Sequence, residues 1–94
     1  MAPVPERFRV LFWDAKLESL DTEKHRKYII ERLLEYGDED AYCWMFANYT
    51  DEEITEVVRT SRRISPKTAV MMANFYNVPW EEIVCLRSMF PPKP

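Results

Sequence analysis

This chain of 94 residues contains one glycine, one histidine and two cysteines. A single glycine, Gly37, leaves no glycine-rich loop to cradle a phosphate and no glycine-punctuated calcium loop. His25 has no cysteine or second histidine near it, so no metal-ligand spacing exists. Its neighbours Lys24, Arg26 and Lys27 suit an exposed or boundary ring better than a general base, and Ser61 and Ser65 have no nearby histidine to activate them. Cys43 and Cys85 stand far apart, each inside an apolar run, and are expected to be reduced, buried and inert. The longest apolar run, Ala41 to Ala47, is too short to span a bilayer. Residues Met1 to Arg7 lack the apolar core of a secretory signal, so a cytoplasmic protein is expected. Period-two alternation is absent, which argues against a sheet. The acidic triplets Asp38-Glu39-Asp40 and Asp51-Glu52-Glu53 fall at helix starts, where the helix dipole favours carboxylates without any metal. Together these absences predict a protein with no catalytic residues, no metal and no cofactor.

What the sequence does hold is helix punctuation. Asp21 reads as a cap, and Ile29, Ile30, Leu33 and Leu34 form one helical face. Gly37 is where a left-handed terminator is expected. Asp38 then caps a second helix running to about Tyr49, apolar nearly all round and so expected at the centre of the fold. Thr50 and Glu53 form a capping box before a helix that carries Ile54, Val57 and Val58. Ser65-Pro66 starts a fourth helix, with the stripe Ala69, Met72, Ala73 and Tyr76, ending near Asn77. Pro79 opens a last one, with Trp80, Ile83 and Val84 facing inward, although Val78 is an unsuitable cap for it. Phe8 to Trp13 reads as a packed helical turn or arm, since a lone strand would be unstable. The expected fold is all-α, a compact bundle of about five short helices. Its organisation is a flexible N-terminus over residues 1–7, a single helical domain over 8–88, and an extended, mobile, proline-rich tail over 89–94.

Three Trp, five Tyr and five Phe exceed what so small a core requires, which implies an apolar surface kept for a partner or a second copy. Phe12 and Trp13, in a segment with no evident internal place, are the expected contact residues. The net charge of −3 argues against indiscriminate binding to nucleic acid or membranes. Charge is nonetheless sharply divided. Asp21 to Val58 holds four Lys/Arg against eleven Asp/Glu, whereas Arg59 to Lys67 holds four cations and no acid. Arg59, Arg62, Arg63 and Lys67 therefore predict an acidic protein partner, or an internal contact. The alternative is DNA, with Arg62, Arg63 and Lys67 on phosphates and Asn74 on a base edge. Helix-turn-helix geometry fits imperfectly. The connection is slightly long and lacks glycine, and the outward positions Lys67, Met71 and Asn74 include only two polar side chains.

Several stretches resemble a family of small, mostly uncharacterised prokaryotic proteins. They are Leu11-Phe12-Trp13-Asp14, Lys24-His25, Ile29-Ile30-Glu31-Arg32, Leu34-Glu35-Tyr36-Gly37-Asp38 and Ser61 to Ala69, within a span from Phe8 to Leu86. Val70-Met71-Met72 departs from the more aromatic continuation expected there. Members are often encoded beside nucleotidyltransferase-like toxins of the abortive-infection type. The resemblance therefore implies a non-catalytic antitoxin or accessory partner of such a toxin. A DNA-binding regulator, or a self-assembling helical dimer without a catalytic partner, are the other readings.

Overall fold

The computed structural model describes residues 4–89, with side chains through Leu86. The described residues are helical and contain no strand, so the fold is all-α. Their packing separates into two compact units, Met1–Thr50 and Asp51–Pro94. Residues 1–3 of the expected flexible N-terminus, and 90–94 of the expected tail, lie outside the described residues.

The first unit begins with 3₁₀ segments at Glu6–Phe12 and Leu17–Ser19. Helices α1 (Arg26–Tyr36) and α2 (Glu39–Asn48) follow. Asp21 does cap, but it caps a turn that precedes α1 rather than the α-helix itself. Its carboxylate accepts from the N–H groups of Glu23 and Lys24, while its own N–H donates to His25 Nδ1 at 2.9 Å. The histidine thus serves as the second half of a reciprocal cap, and an acceptor at Nδ1 requires an unprotonated nitrogen there. The stripe Ile29, Ile30, Leu33 and Leu34 is buried as its spacing predicts, and packs with α2 and the first 3₁₀ segment. Complete burial of such side chains contributes roughly 1.5–3 kcal/mol each.

Gly37 is not left-handed. Its φ of −79° and ψ of 157° are extended, open to any residue. The need for glycine is one of space: a Cβ there would lie 2.4 Å from the Leu33 carbonyl oxygen and 2.7 Å from the Ala41 Cβ. The last-turn carbonyl of α1 and the first turn of α2 together leave no room for a side chain. The Tyr42 hydroxyl reinforces that junction by donating to the Leu34 carbonyl at 2.6 Å, satisfying an acceptor that a helix end would leave unpaired. Asp38 caps α2 as predicted, accepting from Ala41 N–H at 3.1 Å.

Helix α2 is not central. Only Ala41 and Met45 are buried along it, whereas Cys43, Phe46 and Ala47 are exposed. The unbroken apolar run conceals a one-sided helix, because absence of charge does not itself establish burial. Cys43 is consequently not a core residue, and Cys85 is half-buried; both are free thiols.

In the second unit, α3 (Asp51–Thr60) buries Ile54, Val57 and Val58, and starts where the Thr50 signal places it. Helix α4 (Pro66–Tyr76) has Ser65 as its cap and Pro66 in its first turn, as predicted. Asn77 is the left-handed residue, at φ 58° and ψ 44°. The next N–H, from Val78, donates to the Ala73 carbonyl at 2.8 Å, the long bond of a Schellman ending. Val78 is thereby explained: it is the buried apolar residue that closes α4. The predicted last helix takes 3₁₀ form at Trp80–Glu82 and Val84–Met89. Ile83 is buried as expected, but Trp80 is exposed and Val84 half-buried. No described helix is long and apolar enough to cross a membrane.

Candidate interaction site

The 3₁₀ geometry of the first segment decides which N-terminal residues reach the surface. Side chains three apart eclipse in such a helix, so Arg7, Val10 and Trp13 share one side. Val10 is 75% exposed and Trp13 62%, while Phe8 and Phe12 are buried. Phe12, expected at a contact surface, is instead a core residue at 1% exposure, with its ring against Tyr28. Trp13 is on the surface as expected.

Arg32 orders this surface. Its guanidinium lies 4.1 Å from the Trp13 ring centre, with Tyr28 and Tyr36 within 6 Å. It donates to Asp14 at 2.7 Å and to the Leu11 carbonyl at 3.4 Å. The Arg32 side chain is only 13% exposed, so these contacts operate with little water around the charge. The Tyr28 hydroxyl also donates to Asp14; that bond first, and then the Arg32 charge, hold the Asp14 carboxyl below its ordinary range. Trp13 and Tyr36 meet edge to face at 5.1 Å, and Tyr36 is 55% exposed. The result is an aromatic face whose rings are set by a shared guanidinium.

Beside it lies a cleft of about 260 Å³. Phe8, Val10, Leu11 and Tyr36 form its walls, and Arg7, Asp38 and Asp40 its polar edge. Arg7 holds Asp40 through two hydrogen bonds of 2.6 and 3.2 Å, raising the guanidinium's affinity for its proton. The volume falls under the roughly 300–1,000 Å³ usual for small-molecule sites, and suits one or two side chains of a partner.

The basic turn of the second unit has a different character. Ser61 and Ile64 are buried and pin it, with Ser61 Oγ accepting from Arg63 N–H at 3.1 Å. Arg59 is engaged internally with Glu82 at 3.2 Å. Arg62, Arg63 and Lys67 are exposed, with no acidic partner among the described residues. Lys67, Met71 and Asn74 do face outward from α4, joined by Phe75 at 64% exposure. Asn74 accepts a long bond from Trp80 Nε1, at 3.4 Å.

The structure therefore groups Trp13 with residues that the sequence did not assign to a contact surface, namely Val10, Arg32, Tyr36, Asp38 and Asp40. A three-residue period through Arg7, Val10 and Trp13 was the available signal for part of that set. Among the described residues no group of His, Cys, Asp or Glu is arranged to hold a metal ion. No curated protein and no solved structure matches this chain. A family model matches residues 8–58, which hold the aromatic face and every cleft residue except Arg7, and stop short of Arg59. That match covers more than half of the sequence, and the chain belongs to the family it describes, a family of unknown function (DUF6922).

Proposed function

We propose that this chain is a non-catalytic interaction protein whose aromatic face docks on a protein partner. The partner we propose is a nucleotidyltransferase-like toxin, which the chain restrains or assists in the cytoplasm. The observation that carries the reading is the exposed set Val10, Trp13 and Tyr36, with Arg32 set against the two rings. Aromatic residues and arginine dominate binding energy at protein interfaces. Their fixed arrangement also removes part of the ordering cost, about 0.5–1.5 kcal/mol for each side chain that binding would otherwise immobilise. The toxin is the partner that the family resemblance implies.

The test is reconstitution. The chain is co-expressed with a nucleotidyltransferase-like toxin, and complex formation and growth rescue are measured for the native sequence and for Trp13→Ala. Complex formation and rescue that Trp13→Ala abolishes support the reading; a complex indifferent to Trp13→Ala contradicts it. A second reading, DNA binding, draws on the exposed Arg62, Arg63 and Lys67 at the start of α4. It predicts affinity for duplex DNA that falls with salt at a log–log slope of about −0.9 per phosphate neutralised. Arg62→Glu with Arg63→Glu would abolish that binding. If the same double reversal slows association with the toxin and no DNA binding occurs, the basic turn steers a protein instead.

A further inference from the structure

We infer that the cleft beside Trp13 takes a short segment of the partner protein in which a bulky apolar side chain lies within a few positions of Lys or Arg. This rests on the reading of the aromatic face as a docking surface and specifies the chemistry of what docks. Three observations support it. The cleft is walled by apolar groups, with Phe8 buried at its base and Val10 and Tyr36 exposed at its mouth. Its volume of about 260 Å³ accommodates side chains rather than a cofactor.

The third observation is charge. The chain from Glu35 to Asp40 carries Glu35, Asp38, Glu39 and Asp40 with no cation. Asp38 and Asp40 reach the cleft edge. Each retains acceptor capacity: Asp38 receives the Ala41 N–H on one oxygen, and Asp40 is met by Arg7 alone among the described residues. The Arg7–Asp40 pair is more than half exposed on both sides, so an incoming cation displaces or shares it at little cost. With Arg7 offsetting Asp40, the edge keeps one net negative charge at Asp38, which disfavours an acidic segment and favours a basic one. An uncharged one would leave the edge unused.

The probe is a phage-displayed library of random dodecapeptides panned against the immobilised full chain. Enriched sequences are expected to place an aromatic or aliphatic residue within a few positions of Lys or Arg. A synthetic copy of the best peptide should bind about tenfold more weakly to the Asp38→Asn, Asp40→Asn double variant. Asparagine preserves the cap at position 38, so the variant should fold, which circular dichroism checks. Tyr36→Ala should weaken the same peptide, and Glu52→Gln, in the other unit, should not. Enrichment of acidic or uncharged peptides, or indifference to the double variant, would overturn the inference. So would a concentration-dependent dimer disrupted by Val10→Asp, since a second copy would then occupy the face. If no peptide is enriched while toxin binding remains sensitive to Trp13→Ala, the cleft assignment fails and the docking reading stands. If basic-apolar peptides are selected but no toxin binds, the cleft chemistry stands and the toxin reading fails.

Discussion

The two units use their arginines in opposite ways. In Met1–Thr50, Arg7 is bound to Asp40, Arg9 to Glu6 and Glu18, and Arg32 to Asp14 and a set of aromatic rings. In Asp51–Pro94, Arg59 meets Glu82, but Arg62 and Arg63 extend into solvent beside Lys67. The same residue type is internal architecture in one unit and external charge in the other. Sequence charge alone points to the second unit as the place of binding. The docking we propose falls to the first, where the cations organise exposed aromatic surface.

The largest expected effect concerns the packed junction of the first unit. Gly37→Val forces a Cβ into the Leu33 carbonyl and Ala41, so backbone must move, and a loss of about 2 kcal/mol or more is expected. Asn77→Gly, at the left-handed position of the second unit, should be neutral or slightly stabilising. Denaturant midpoints of the two variants check both. An unchanged midpoint for Gly37→Val would show that the end of α1 and the start of α2 both yield freely.

That pair also shows what the sequence conveyed and what it withheld. Asp38, Ser65 and Pro66 were legible because a cap acts on backbone a few residues away. The stripes of α1 and α3 were legible because period and burial coincide. Gly37 marked the right place for the wrong reason, since left-handed backbone and close helix approach both select glycine. Val78 looked out of place until the ending of α4 claimed it. The burial of Phe12, the exposure of Trp13 and the one-sidedness of α2 depend on a local 3₁₀ period and on tertiary packing. Neither is expressed in an uninterrupted apolar run.

A middle-sized effect separates the arginines. Arg32→Gln removes a nearly buried charge from Asp14 and from the rings, and should cost about 1–2 kcal/mol. Arg62→Gln with Arg63→Gln should stay within about 0.5 kcal/mol of the native chain. Equal losses would erase the distinction between the units.

Acid should act on the first unit through carboxylates that its arginines and backbone donors stabilise. The carboxyls of Glu6 and Glu18 are lowered chiefly by Arg9, that of Asp14 by Tyr28, and that of Asp21 by the N–H groups of Lys24 and Glu23. A carboxyl lowered on folding contributes stability above its unfolded value. That contribution is lost as pH falls through the folded value, so the decline should begin below about pH 4–4.5. Near-ultraviolet dichroism through an acid titration should show a smaller acid-dependent loss in Asp14→Asn than in the native chain.

The smallest effect is expected at Tyr76. Its hydroxyl oxygen is buried without a hydrogen bond of ordinary geometry. Burial first, and then the nearby Asp51, push its ionisation up to about 12. Tyr76→Phe should therefore change stability by no more than about 0.5 kcal/mol. A loss above about 1 kcal/mol would mean that the hydroxyl bonds to Asp51 in solution.

The central claim is that the exposed aromatic face of the first unit is for binding and not for folding. Measuring both properties on Trp13→Ala tests it most directly. Trp13 contacts Arg32 and Tyr36 but is largely exposed, so its removal should lower stability by about 1 kcal/mol. Affinity for the toxin-like partner should fall at least about a hundredfold, the loss of an interface anchor. Intact binding together with a stability loss of several kcal/mol would make Trp13 a structural residue and contradict the account.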